Sequence, residues 1–333
     1  MRVLVTGGAG YIGSIIVEQL IEAGHQTLVL DNLSQGHPEA IAQGAEFIEG
    51  GVGDDAALET AFSAGPIDAV IHMAAETTIE FSMTDSNRYF QTNVADGLKL
   101  LQYVRRYQVP RVVFSSSAAV YGEPTAIPIT EDAPTVPTNA YGLSKLIFEQ
   151  MLAWFRRSYG LRHISLRYFN AAGASEKLGE SHDPETHLIP LILRVPLGQA
   201  ERIRICGTDY ETRDGTCVRD YIHVSDLAAA HVLALLRMDE LGAATFNLGN
   251  GEGFTVREVI DAARRMTGHP ILTEEVDRRP GDPATLVASA QEAQRRLGWQ
   301  PQRSSLDEII ASAWAWHRSH PHGYRTRAGA AAR

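Results

Sequence analysis

Residues Val3 to Ser14 read V-L-V-T-G-G-A-G-Y-I-G-S, and the reading of this stretch decides the fold. Val3, Leu4 and Val5 predict a buried strand over 2–6. Gly7, Gly10 and Gly13 follow, and a helix-like segment runs over about 11–23. Strand, glycine turn and helix in that order suit a dinucleotide. One glycine makes the tight turn, one lets backbone N–H groups approach a pyrophosphate, and one lets the helix pack close to the strand. The helix N-terminus then faces the phosphate charge. A second predicted strand, 26–31, ends in Asp31, eighteen residues after Gly13. A carboxylate there accepts both adenosine ribose hydroxyls and repels a 2′-phosphate, so the pattern favours NAD over NADP.

Strand and helix signals alternate through the first half of the chain. Strands are predicted over 2–6, 26–31, 68–73, 111–116 and 163–168, with helices over 87–107 and 141–159. This alternation implies an α/β fold, a Rossmann-type doubly wound parallel sheet with helices on both faces. A loop over 122–139 carries Pro124, Pro128, Pro134 and Pro137. After Asn170 the pattern changes. Residues 171–187 read as loop, short strands are predicted over 203–206 and 245–248, and helices over 225–238, 256–267 and 305–318. The expected organisation is a dinucleotide-binding domain over 1–170, to which a segment around 221–250 returns. A smaller α+β domain spans 171–324, and 325–333 is a frayed Ala/Arg/Gly tail.

The 333 residues are enough for about two domains. Thirty basic against forty acidic residues give a formal charge of −10. That balance excludes nucleic acid and anionic membrane as expected partners, and an anionic ligand needs a locally basic pocket. Cys206 and Cys217 have no metal-ligand spacing and form no disulfide framework, so no metal is expected. The first strand begins at Arg2, leaving no room for a signal peptide, and no apolar run approaches membrane-spanning length. A cytoplasmic location is expected.

Tyr141 and Lys145 lie four apart in N-A-Y-G-L-S-K-L, on one face of a predicted helix. At pH 7 only about a thousandth of an ordinary tyrosine is phenolate, and moving its pKa near 7 requires roughly 4 kcal/mol. A lysine ammonium and the positive nicotinamide ring are the expected sources. Val112 to Gly122 read V-V-F-S-S-S-A-A-V-Y-G, an apolar strand ending in hydroxyls. Ligands of doubly wound sheets bind at the carboxyl ends of the strands, which places Ser117 near Tyr141 as a partner for a substrate hydroxyl.

With these motifs stand L-D-N-L-S, L-R-Y-F-N, T-H-L-I-P, D-G-T-C-V-R-D-Y-I-H-V-S-D-L-A, N-L-G-N-G, R-P-G-D-P and H-P-H-G-Y. Together they resemble the UDP-glucose (UDP-galactose) 4-epimerase family of the extended short-chain dehydrogenase/reductases, over nearly the whole chain. The resemblance implies a nucleotide-sugar 4-epimerase, most simply of UDP-glucose and UDP-galactose, working through a 4-keto sugar. Tyr141 would be base and acid at the sugar C4 hydroxyl, Ser117 would assist, and Lys145 would hold the nicotinamide ribose. NAD would also meet Gly7, Gly10, Tyr11, Ile12, Gly13, Asp31, Asn32, Ala74, Asn93, Ser115 and Tyr168. The sugar nucleotide would meet Ser117, Asn170, His187, Leu188, Arg219, Arg279, Asp282 and Leu286. The resemblance also implies a homodimer through helices 87–107 and 141–159, with Leu98, Leu101, Val104, Leu146, Met151 and Phe155 as surplus apolar surface.

The chain departs from that family in four places. Glu49-Gly50-Gly51 stands for the usual E-G-D, removing a carboxylate that contacts adenine. Glu76 to Ser82 is an unusual loop, either adding hydroxyl contacts from Thr77 and Thr78 or repacking beside the cofactor. Cys206 replaces the aromatic residue that packs on uracil, which keeps a thymidine nucleotide open. Leu286 sits where residue size controls N-acetylhexosamine entry. UDP-glucuronate, UDP-N-acetylglucosamine and dTDP-hexoses are therefore alternative substrates. A 4,6-dehydratase would need an acid pair after Ser117, where Ala118 and Ala119 stand. A non-enzymatic NAD sensor is disfavoured by the presence of both Tyr141 and Lys145.

Overall fold

The computed structural model describes residues 1–279 and 282–324. The expected tail over 325–333 lies outside the described residues. Seven parallel strands form the central sheet, in the order Ala243–Leu248, Arg162–Tyr168, Arg111–Ser117, Ala69–His72, Arg2–Thr6, Gln26–Asp31 and Glu46–Glu49. The order reverses at Arg2–Thr6, which is the switch point where a doubly wound sheet opens a crevice.

Both faces of the sheet are covered, so its strands are continuous apolar runs rather than alternating ones. Val3, Val5, Val29, Ile71 and Val113 face one core with helices Tyr11–Glu22 and Val224–Leu241. Leu4, Leu28, Leu30, Val70 and Val112 face the other, under helices Asp55–Ser63, Gly97–Arg106 and Ala140–Tyr159. A third core joins helices Leu188–Leu193, Val256–Thr267 and Leu306–Ser319 to the paired strands Ile203–Cys206 and Thr273–Val276. Beside it lies a small sheet of Phe254–Thr255, Val218–Arg219 and Thr285–Leu286.

The helix predicted over 87–107 is broken in the structure. A short helix Ser86–Tyr89 runs into a widened π-helical stretch Phe90–Asp96 and then into Gly97–Arg106. A Cβ on Gly97 would come within 2.6 Å of the Phe148 ring, so glycine permits the close approach of helix Ala140–Tyr159. Leu101 and Val104 correct the surplus-surface reading, because both are buried within the chain's own core. The exposed large apolar side chains on these helices are Leu98, Leu143, Trp154 and Tyr159.

Candidate active site

The glycine turn leads the strand into the helix at the switch point. Gly7 has φ +72°, and a Cβ on it would lie 2.6 Å from the Ala74 backbone nitrogen. A Cβ on Gly13 would lie 2.1 Å from the Gly7 carbonyl oxygen. Both positions therefore require glycine, and backbone from the first and fourth strands meets here. Gly10 is the N-cap of helix Tyr11–Glu22, whose first turn carries no acidic residue to oppose a phosphate. Ile12 packs against the core below. The buried Tyr11 hydroxyl donates to the Gly173 carbonyl at 2.6 Å, which leaves its backbone in the glycine turn.

Asp31 is buried at the end of its strand. One carboxylate oxygen accepts from the Ala9 N–H at 3.0 Å and the other from the Leu33 N–H at 2.8 Å. Burial pushes its pKa up, while these two N–H groups pull it down. The carboxylate is oriented by backbone and keeps acceptor capacity on each oxygen, as a ribose diol requires. Asn32 caps Ser34, and its amide lies 3.6 Å from where a Gly51 side chain would begin. Asp31, the glycine turn and its helix together fit an NAD adenosine diphosphate.

Asn139 caps helix Ala140–Tyr159 by accepting from the Gly142 N–H at 2.8 Å. A Cβ on Gly142 would lie 2.3 Å from the Ala119 carbonyl oxygen. This glycine lets the helix press against the turn Ala118–Tyr121 and brings Tyr141 to Ser117. Burial pushes the Tyr141 phenol above its ordinary pKa, and a hydrogen bond with Ser117 pulls it down. The Ser117 oxygen also accepts from the Ala119 N–H at 3.1 Å. Lys145 is buried with its Nζ 5.7 Å from the Tyr141 ring centre, donating to the Ser115 carbonyl at 2.9 Å. Burial lowers Lys145 to about 7. The expected depression of the phenol by an adjacent ammonium is therefore not built into the chain alone.

The three serines divide their work. Ser115 is hydrogen-bonded to the Tyr168 hydroxyl, and burial pushes Tyr168 upward. Ser116 donates to Glu149 at 2.5 Å on the opposite side of the strand. Asn93 accepts from the Glu76 N–H at 2.8 Å, and its amide donates to the Glu76 carbonyl and to the Ser144 hydroxyl. It thus clips the unusual loop to the helix of Tyr141. That loop continues into helix Ile79–Thr84, with Thr77 exposed and the Thr78 carbonyl accepting from Tyr89.

The substrate residues are gathered unevenly. Leu286 pairs with Arg219 across the small sheet and packs against the turn Ala118–Tyr121. Arg219 is buried, ion-paired with Asp282, and donates to the Val218 carbonyl at 2.7 Å. Arg279 is exposed beside them. Asn170 pairs with Tyr221 in a short strand, and its N–H donates to the Asp220 carbonyl at 2.9 Å. Leu188 packs into the third core at the start of its helix. The His187 imidazole lies against Glu180 at 2.8 Å and Glu185 at 3.0 Å, at the N-cap of helix Leu188–Leu193.

Sequence reading missed the supports. The buried Asp220 carboxylate accepts from the N–H groups of Asn250, Gly251 and Ala288. It thereby joins two motifs noted only separately, D-G-T-C-V-R-D-Y and N-L-G-N-G, to the segment that carries Leu286. Arg167 and Glu149 form a buried bidentate pair at 2.9 and 2.6 Å, and Arg167 also donates to the Tyr121 hydroxyl at 2.9 Å. Glycines inside a helix, such as Gly142, were the available signal for close packing.

The fold and site define a doubly wound dinucleotide-binding protein with a buried tyrosine–serine–lysine centre. A family model, the NAD dependent epimerase/dehydratase family, matches residues 3–249. The chain belongs to that family. A UDP-glucose 4-epimerase of Halalkalibacterium halodurans is 51% identical over 329 residues, covering 98% of each chain. A crystal structure of a UDP-glucose 4-epimerase aligns with TM-score 0.95 at 47% identity, covering 98% of this chain and 100% of that one. The Bifidobacterium longum UDP-glucose 4-epimerase in complex with NAD+ and UDP aligns with TM-score 0.93 at 38% identity, covering 97% and 100%.

Proposed function

We propose that the chain is an NAD-dependent nucleotide-sugar 4-epimerase, with UDP-glucose and UDP-galactose as its main substrates. The observation that carries this reading is the meeting of Tyr141 and Ser117 at the carboxyl end of the sheet, beside the glycine turn. Its relatives' names support the substrate.

When bound, NAD supplies a hydride acceptor and donor at the sugar C4. Tyr141 takes the proton from the C4 hydroxyl and later returns it. Ser117 orients that hydroxyl and accepts part of the phenolic charge. Lys145 supplies the ammonium that lowers the barrier to phenolate formation once the cofactor is present. Arg219 and Arg279 meet the diphosphate, with Asp282 orienting the buried guanidinium. Held at its nucleotide by these residues, the sugar would be free to turn and present either face of C4.

Incubating the protein with a panel of sugar nucleotides and following epimer ratios tests the reading. UDP-glucose and UDP-galactose should interconvert best. Conversion of UDP-glucuronate alone would overturn the substrate. Tyr141→Phe should lose at least about 100-fold in turnover, the lower bound for general acid–base catalysis. Substrate binding by calorimetry should persist, and near wild-type turnover would exclude Tyr141 as the base. Denaturation should release NAD(H) rather than NADP(H). We also read the exposed Leu98, Leu143, Trp154 and Tyr159 as a homodimer face, and the cytoplasm as the compartment. Among the described residues no helix is long and apolar enough to cross a membrane.

A further inference from the structure

We propose that Glu180, His182, Glu185 and His187 form a structural site for one divalent transition-metal ion, zinc by ligand chemistry. All four come from the single segment E-S-H-D-P-E-T-H, and one ligand atom of each lies within 4.8 Å of the others. His187 Nδ1 is 2.8 Å from Glu180 and 3.0 Å from Glu185. His182 Nδ1 is 3.2 Å from Glu180 and 3.6 Å from Glu185. Ligands about 2.0–2.1 Å from a tetrahedral zinc stand about 3.3 Å from one another; the four imidazole–carboxylate distances bracket that value, and the whole set lies within 4.8 Å.

Burial adds a second argument. The Glu180 and Glu185 side chains are 5% and 4% exposed. Two buried carboxylates need two positive charges nearby. A divalent ion with two neutral imidazoles supplies them, as two imidazolium groups do. His182 Nδ1 decides between these arrangements. It is sealed from solvent and makes no hydrogen bond of good geometry, although it points at two carboxylates. A nitrogen lone pair directed at a metal explains that better than an N–H missing its acceptors.

Four protein ligands leave no open position, which marks a structural rather than a catalytic ion. Imidazole and carboxylate together suit zinc better than magnesium or calcium. The site would stiffen the irregular segment between Gly173 and helix Leu188–Leu193. It would also brace the glycine-turn helix, because the Tyr11 ring meets His182 edge-on at 6.2 Å while its hydroxyl holds Gly173. The absence of a cysteine motif had pointed away from any metal; the imidazole–carboxylate set needs none.

Elemental analysis of the full-length protein, stripped with chelator and dialysed against micromolar zinc, tests this. About one zinc per chain is expected, with a melting temperature that falls on stripping and recovers with zinc alone. His182→Gln and Glu185→Gln should each abolish stoichiometric zinc and the chelator response. Should either variant fail to fold, cobalt titration of the stripped wild type decides. Visible absorption of tetrahedral intensity saturating at one cobalt per chain supports the site. Less than about a tenth of a zinc per chain, no cobalt absorption beyond the free ion, or a melting temperature indifferent to chelator and zinc overturns it.

Discussion

Lys145 is the residue whose environment is hardest to guess from its neighbours in sequence. Burial lowers it to about 7 from an ordinary 10.5 in the cofactor-free chain. Unfolding restores the ordinary value, so between these pH values the unfolded chain binds more protons. This group's contribution to stability therefore rises with pH across that window and is lost as pH falls through 7. Lys145→Met removes the effect. In cofactor-stripped protein, the urea midpoint of wild type minus variant should grow more positive from pH 7 to about pH 10. A difference that does not change with pH would refute the buried neutral amine. Leu286 is the second telling residue, lying between the Arg219 strand and the turn after Ser117. Leu286→Tyr should reduce turnover of UDP-N-acetylglucosamine more than of UDP-glucose, because the added ring narrows only the wall nearest an acetamido group. Equal losses on both would remove residue 286 as the size gate.

At the scale of elements, helix Ala140–Tyr159 is held in place by a buried ion pair one turn beyond Lys145. Glu149 on that helix and Arg167 on the adjacent strand are both at most about one-tenth exposed and paired through two hydrogen bonds. Ser116 and Tyr121 attach the same pair to the strand and turn that carry Ser117. Glu149→Leu leaves a buried guanidinium without its partner and should cost about 3–5 kcal/mol in urea unfolding. Replacing both residues by leucine should cost less than Glu149→Leu alone, since no uncompensated charge remains. A Glu149→Leu cost below about 1 kcal/mol would show that the pair is solvated in solution. Edges were less legible than centres. Strand Glu46–Glu49 went unpredicted because E-F-I-E is short, charged at both ends and exposes Phe47, as sheet edges commonly are.

For the whole molecule, the strand Ala243–Leu248 comes back to the far edge of the central sheet. Asp220 stitches that return to the small sheet carrying Leu286 through three backbone N–H groups. Assembly is the remaining question at this scale. Trp154 is 62% and Tyr159 52% exposed on a helix whose other face is core. Covering such a surface is favourable at about 25 cal/mol per Å² of apolar area removed from water. Light scattering at micromolar concentration should return a mass near twice the 36.4 kDa chain. A monomer mass would contradict the dimer, and Trp154→Glu should shift the protein toward monomer if this helix is the interface.

Sequence alone determined the parts of this protein that depend on local backbone chemistry. The glycine turn, Asp31 at a strand end, the period of the buried strands and the Tyr141–Lys145 spacing follow from what each residue permits within a few positions. Tertiary structure decided what depends on distant partners. It turned Tyr11 toward Gly173, buried Leu101 and Val104, clipped the loop at Glu76 with Asn93, and set His187 against Glu180 and Glu185. A polar side chain taken out of water must find a partner wherever the fold supplies one. Its role is therefore set by which segments meet.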